Sequence, residues 1–217
     1  MKLSRYAAAL LGRNRRVNLT GAKTLDALVP QLLDSLTIAP FMRESHIDIG
    51  SGGGLPAIPA AIVSGSAITL IEATSKKATF LVEITGELGL NAKVLAARAE
   101  TVARDAGLRE SFQSASARAV ATASTVAELT LPFLRIGGEA ILQRGRFGAA
   151  ERAALQDALL ILGGRVAAEH AMAGDRRIVL LEKSTATPER FPRRPGVPTK
   201  KPLGWRSFHG KPTGETE

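Results

Sequence analysis

The chain has 217 residues, 45% of them apolar, enough for one domain with a sizeable core. With no cysteine and three scattered histidines (His46, His170, His209), it excludes a disulfide framework and thiolate zinc sites, and no metal is expected. Its formal charge of +9 sits at the ends: residues 1–23 hold six Lys/Arg and no acid, residues 184–217 hold seven against three acids, and the body between is nearly neutral. Basic ends suit either plain solubility or a small-ligand enzyme that grips a polyanion with its termini. The longest apolar stretch, Leu55 to Val63, is broken by Pro56 and Pro59, and no apolar leader opens the chain. A soluble, cytoplasmic protein that does not engage a membrane is expected.

In chain order, Ser4–Arg13 and Leu25–Phe41 read as helices separated by Asn18-Leu19-Thr20-Gly21, a small helical cap spanning 1–44. From 45 to 183, short β-branched runs alternate with Ala- and Leu-rich segments, the pattern of a parallel sheet covered by helices. Strands are predicted at His46–Ile49, Ala67–Glu72, Ala92–Ala96, Ala117–Ala121, Ala140–Gln143, Arg165–Glu169 and Arg177–Glu182. Helices are predicted at Leu55–Val63, Lys76–Leu88, Ala99–Ala103, Thr125–Arg135 and Ala149–Leu162, with Gly137-Gly138 and Gly163-Gly164 as helix stops. The last two strands lie too close, around Ala173-Gly174-Asp175, for a parallel crossover, so they should form an antiparallel hairpin at one edge. Beyond 184 the composition changes. Six of the eleven prolines fall there, and this basic tail, 184–217, is expected to form neither helix nor strand.

The most informative segment is Asp48-Ile49-Gly50-Ser51-Gly52-Gly53-Gly54-Leu55-Pro56. Gly50, Gly52 and Gly54 follow an apolar strand and precede a helix, so the backbone turns tightly and a ligand approaches main chain without meeting Cβ atoms. A dinucleotide fingerprint would put its third glycine where Leu55 stands. Asp48, two residues before the first glycine, also disfavours a diphosphate and favours a cationic or neutral ligand. S-adenosylmethionine fits: it has a sulfonium and an ammonium, no phosphate, and a ribose whose hydroxyls Glu72, closing the second strand, could accept. The start of the following helix offers N–H groups to the methionine carboxylate. Spacing alone leaves open another nucleotide, or a connection that binds nothing.

Taken in order, Asn18-Leu19-Thr20, Asp34-Ser35, the glycine turn, Glu72-Ala73-Thr74-Ser75-Lys76-Lys77 with Phe80-Leu81, Ala97-Arg98-Ala99-Glu100 and Ala117-Arg118-Ala119-Val120-Ala121 make the chain resemble the RsmG (GidB) family, the bacterial 16S rRNA guanine-N7 methyltransferases. The tail from Thr187 to Leu203 is similar to that family's ending. The resemblance implies an α/β, Rossmann-like class I methyltransferase: a seven-stranded, mostly parallel sheet with an antiparallel edge hairpin and a small N-terminal helical cap. It implies S-adenosylmethionine contacted at Gly50, Leu55, Ala99, Glu100 and Arg118, and 16S rRNA or the small ribosomal subunit as partner of a monomer. Three features depart from the family pattern. Pro30-Gln31 replaces an Arg-His pair, Gly12-Arg13-Asn14-Arg15-Arg16 replaces an aromatic segment, and Arg144-Gly145 stands for Lys-Gly.

Guanine N7 carries an in-plane lone pair and no hydrogen, so methyl transfer needs no general base, and no acid/base residue is assigned. The enzyme's task is to align nucleophile, methyl and sulfur. The methylation step is therefore expected to show no enzyme pKa between about pH 6 and 9, outside the ordinary carboxylate and lysine values. N7 lies on the deep, narrow edge of A-form RNA, so the target must be in a loop, an end or a distorted helix. Arg13, Arg15, Arg16, Arg144, Arg193, Arg194, Lys200 and Lys201 are the candidate phosphate contacts; each alone reads more readily as a solvated charge, and it is the group that points to RNA. Phe191 and Trp205 could stack on a base or pack on the body. Other readings are a methyltransferase acting on another RNA or a protein, a non-catalytic RNA-binding assembly factor, and a nicotinamide oxidoreductase.

Overall fold

A computed structural model describes residues 1–118 and 121–204. Ala119 and Val120 of the predicted fourth strand, and Trp205, Arg206, His209 and Lys211 of the tail, lie outside the described residues. The elements are α1 (Lys2–Asn14), α2 (Leu25–Leu36), β1 (Ser45–Ile49), α3 (Ala57–Ser64), β2 (Ala67–Ile71), α4 (Ser75–Glu87), β3 (Ala92–Leu95), α5 (Ala99–Val102), β4 (Phe112–Ala117), α6 (Ala123–Thr130), β5 (Leu134–Arg144), α7 (Ala149–Leu162), β6 (Gly164–Ala171), β7 (Arg177–Lys183) and α8 (Val197–Lys200).

The seven strands form one sheet in the order β3-β2-β1-β4-β5-β7-β6. The first five run parallel. β7 enters antiparallel beside β5, and β6 pairs antiparallel with β7 at the edge, which is the expected hairpin. Side chains alternate between faces along each strand. Ile47, Ile49, Leu142, Val179 and Leu181 join one core under α5, α6 and α7. Leu70, Ile141, Ile178 and Leu180 join a second core with Tyr6, Leu10 and Leu28 of α1 and α2, and with α3 and α4.

Several expected boundaries move for identifiable reasons. α2 stops at Leu36 and the run to Phe41 is completed by a separate 3-10 turn, Ala39–Phe41, with Pro40 inside it. α3 begins at Ala57 rather than Leu55, because a residue preceding proline is disfavoured in the helical region. α6 ends at Thr130 and gives way to a 3-10 turn over Leu131–Phe133, where Pro132 lacks the N–H a continuing helix needs. Gly137-Gly138 is consequently no helix stop. The pair lies inside β5, with Gly137 at φ 79° where the pairing with β4 shifts register, a bulge in the strand. Gly163 does end α7 in the left-handed conformation, as expected.

The largest correction concerns β4, which spans Phe112–Ala117 rather than Ala117–Ala121. Its sequence, Phe-Gln-Ser-Ala-Ser-Ala, has no β-branched residue; position between β1 and β5 makes it a strand, and small side chains fit a site crowded from both faces. The tail also departs from expectation. It includes the single helical turn α8, and Phe191, Thr187 and Pro198 are buried. Arg109 donates to the carbonyls of Thr187 (2.7 Å) and Phe191 (3.0 Å), and Arg104 to that of Pro192 (2.6 Å), so the segment is strapped across the body.

Candidate active site

The carboxyl ends of the parallel strands meet at the glycine turn. Gly50, Gly52 and Gly54 all have positive φ (68°, 57° and 92°). A Cβ on Gly54 would overlap the Ile58 side chain of α3, whereas at Gly52 it would meet nothing closer than the Gly50 carbonyl at 3.8 Å. The turn is thus tight against the protein on its Gly54 side and open at Gly50 and Gly52. Leu55 and the first residues of α3 are buried, so the helix-start N–H groups expected to meet a carboxylate are covered. The accessible main chain is that of Gly50 and Gly52 instead.

Two side chains hold the turn. Glu72, just past β2 and buried, accepts the Gly52 N–H at 2.9 Å with one carboxylate oxygen and the Thr74 N–H at 2.7 Å with the other. It stands where a ribose partner was expected, and its first duty is to pin Gly52. Tyr6 of α1, fully buried, donates its hydroxyl to the Gly53 carbonyl at 2.7 Å. Nothing in the sequence marked this residue except that it is the one tyrosine.

Asp48 is 1% exposed. Its Oδ1 accepts the Ser116 hydroxyl at 2.5 Å, and its Oδ2 is buried with no hydrogen-bond partner. Burial pushes the carboxyl up to about 7, against the opposing pull of the Ser116 and Ser51 hydroxyls and the Arg118 guanidinium. A group titrating between pH 6 and 9 therefore does exist beside the turn. An orphaned buried acceptor is costly unless a donor arrives, and a cationic ligand end is the partner it suits.

Beyond the turn, a cleft of ≈ 100 Å³ is lined by Ile49, Gly50, Ile71, Ala73, Ala97, Arg98, Ala99, Glu100, Leu129 and Thr199. Gly50, Ala99 and Glu100 are thus brought together as expected. The volume suits one end of a ligand rather than a whole cofactor, for which about 300–1,000 Å³ is usual. Larger hollows lie at the opposite sheet end around Arg43, Arg135 and Glu139 and beside α1 around Asn14, Arg15 and Asn18; the glycine turn lines neither, although Leu19, beside the second, packs on Gly53. Thr199 belongs to the tail, and the Gly196 N–H donates to Glu100 Oε1 at 2.9 Å, so the tail walls this cleft.

Arg118 follows β4, and its guanidinium faces Asp34 of α2 at 3.9 Å. Asp34 also pairs with Arg176 at 3.2 Å. The basic candidates divide into two groups. Arg13 pairs with Glu83, and Arg144 with Glu151 and with the Ala121 carbonyl at 2.9 Å. Arg193 is wrapped on the fully buried Glu128, its Nη2 at 2.6 Å and its own N–H at 2.8 Å. These three have internal tasks that the sequence did not reveal, whereas Arg15, Arg16, Arg194, Lys200 and Lys201 are exposed. Among the described residues no cluster of His, Cys, Asp or Glu could hold a metal ion, and no helix is long and apolar enough to cross a membrane.

A parallel sheet with an antiparallel strand inserted beside β5, a glycine turn after β1, an acid near the end of β1 and acids after β2 and β3 defines a class I S-adenosylmethionine-dependent methyltransferase. Among solved structures, a mutant of MtNAS in complex with S-adenosylmethionine superposes with a TM-score of 0.56 at 20% identity, over 85% of this chain and 75% of that one. The chain belongs to the rRNA small subunit methyltransferase G (GidB) family, whose sequence profile matches residues 1–179. It is 41% identical over 212 residues to the ribosomal RNA small subunit methyltransferase G of Chloroflexus aggregans, covering 93% of this chain and 89% of that protein. The same protein of Leuconostoc mesenteroides is 36% identical over 215 residues, covering 93% and 90%. S-adenosylmethionine is the cofactor.

Proposed function

We propose that this protein transfers the methyl group of S-adenosylmethionine to N7 of a guanine in 16S rRNA. The observation that carries the cofactor half of this reading is Asp48 Oδ2, a buried acceptor without a partner at the mouth of the glycine turn. Asp48 would take the cofactor's ammonium, Gly50 and Gly52 its methionine backbone, Glu72 a ribose hydroxyl, and Ala99 and Glu100 the adenine end. Leu55 and Gly54 shape the turn from behind. The bound cofactor supplies an electrophilic methyl on a sulfonium.

Family membership supports the RNA half. N7 attacks with its own lone pair, so the chain needs to supply no base, only alignment and exclusion of water. Arg118, which pairs with Asp34 just past β4, would face the target base. Arg15, Arg16, Arg194, Lys200 and Lys201 would hold phosphates without reading sequence. In this reading it acts as a monomer in the cytoplasm, on free rRNA or on the small subunit. The test is to map N7-methylguanine in 16S rRNA from cells with and without this protein. One site lost with the gene supports the proposal; an unchanged pattern rejects it.

A further inference from the structure

His46 lies in the middle of the sheet, wholly buried, and no step described above uses it. On β1, His46 and Asp48 are alternate residues and so share a face, and they pair in register with Ser114 and Ser116 of β4. All four are buried. His46 Nδ1 is 2.9 Å from Ser114 Oγ and Nε2 is 2.8 Å from Ser116 Oγ; Ser116 Oγ is 2.5 Å from Asp48 Oδ1. At the far end Ser114 Oγ accepts the backbone N–H of Arg43 at 3.0 Å. Strands covered on both faces are normally filled with aliphatic side chains, so an unbroken polar seam here calls for a reason.

Each hydroxyl has one proton to give, which fixes the direction of every bond. When Asp48 is a carboxylate it can only accept, so Ser116 spends its proton there and must accept from His46. Nε2 therefore carries the imidazole hydrogen, Nδ1 is bare, and it accepts from Ser114. Ser114 in turn accepts from the Arg43 N–H, which can only donate. Every member is satisfied except Oδ2 of Asp48. If the seam ran the other way, from a protonated Asp48, the Ser114 hydroxyl would have no acceptor among these groups. Burial holds His46 neutral, its pKa lowered to about 3, so the ring remains a one-donor, one-acceptor link.

We propose that His46, fixed as the Nε2–H tautomer between Ser114 and Ser116, is a positioning residue for the cofactor. It aims the Ser116 hydroxyl at one oxygen of Asp48 and leaves the other free for the cofactor's ammonium. This rests on the reading of Asp48 as the ammonium's partner. The seam favours the ionised acid by hydrogen bonding and holds its plane, while a merely structural polar cluster would have no reason to end on one oxygen and leave its twin unpaired.

The test uses the full-length protein with S-adenosylmethionine and its demethylated product, S-adenosylhomocysteine, as probes at pH 7.5. Calorimetry gives Kd, and steady-state assays on rRNA separate KM for the cofactor from kcat. Ser116→Ala should weaken binding by about tenfold or more, the scale of a lost hydrogen bond to a charged group, with the loss falling on KM. Ser116→Thr, which keeps the hydroxyl, should recover most of it. Nitrogen-15 spectra of the native protein should show His46 with its hydrogen on Nε2 when cofactor is bound. If Asp48→Asn weakens binding and Ser116→Ala does not, the seam is structural and this proposal fails while the site reading stands. If Asp48→Asn leaves Kd unchanged, both fail. A hydrogen on Nδ1 in the complex overturns the proposal even if Ser116→Ala does not fold.

Discussion

Replacing Asp48 by asparagine separates what this side chain costs the fold from what it supplies to the site. In the cofactor-free protein burial holds the carboxyl at about 7, against 3.8 for an ordinary aspartate. The groups facing it are Tyr6 of α1, Ser116 of β4, Ser51 of the turn, Arg118 after β4 and Glu72 after β2, with His46 reaching it through Ser116. Burial raises the Tyr6 phenol and lowers His46 to about 3, so both are neutral and do not titrate alongside Asp48. Because the folded pKa lies above the unfolded one, the stability linked to Asp48 is fully present below about pH 4. It is lost as pH rises to about 7. At ~1.4 kcal/mol per pH unit, linkage puts the loss at roughly 2 kcal/mol at pH 5 and roughly 4 kcal/mol at pH 8. The asparagine does not titrate. Relative to the native chain, Asp48→Asn should therefore gain about 2–3 kcal/mol of stability between pH 5 and pH 8. Terms that do not depend on pH, such as the unpartnered amide N–H groups, cancel in that difference. Urea denaturation of both proteins without cofactor, at the two pH values, measures it. An equal stability difference at both would refute the account of Asp48 as a carboxyl strained by burial.

Further outcomes follow from the same geometry. Binding of S-adenosylhomocysteine should weaken roughly 15-fold from pH 7.0 to pH 5.5 as Asp48 protonates, while its ammonium stays charged; a flat calorimetric profile would count against the pairing. The rate of methylation with bound cofactor should stay level over the same range, because an adjacent ammonium holds Asp48 ionised. Arg193→Ala should cost about 3–5 kcal/mol, since it strands the fully buried Glu128; thermal denaturation reads the loss, and a raised KM for the cofactor would report the loosened tail. Replacing Arg15 and Arg16 with glutamine should flatten the salt dependence of RNA binding, a log–log slope change of roughly 1.5 for two phosphate contacts, and leave cofactor affinity alone. An unchanged slope would move the RNA surface elsewhere.

The sequence exposes the cofactor end of the fold because its signals are local. The glycines must have positive φ, Glu72 closes a short aliphatic strand, and α7 is bracketed by Gly148 and Gly163 so cleanly that its bounds agree residue for residue. β4 is illegible for the opposite reason. Serines and alanines have weak strand preference, and only the placement of that segment between β1 and β5 makes it one. The seam through His46, Ser114 and Ser116 and the Tyr6 bond to Gly53 are contacts between residues 47 to 70 positions apart in sequence. No window of sequence contains them. Glu72 lies between these extremes: its position is readable, but its two bonds to Gly52 and Thr74 become visible only when the turn is built.

The tail shows why charge and composition mislead when topology is missing. Its prolines do prevent long elements, and its cations do suit a polyanion, yet proline also leaves carbonyls without neighbouring donors, and those carbonyls need partners when buried. Arg104 and Arg109 of the body supply them. Adjacent arginines then face opposite demands. Arg193 turns inward, because a fully buried Glu128 is tolerable only with charge-assisted hydrogen bonds around it, and Arg194 remains exposed. The same short stretch brings Gly196 onto Glu100 and Thr199 into the cleft beside Gly50. Anchoring by Arg193 therefore fixes the wall of the cofactor cleft, and Arg194, Lys200 and Lys201 are carried on that wall. A force on those exposed cations, from whatever anion meets them, bears on the residues that close the cofactor's side of the site.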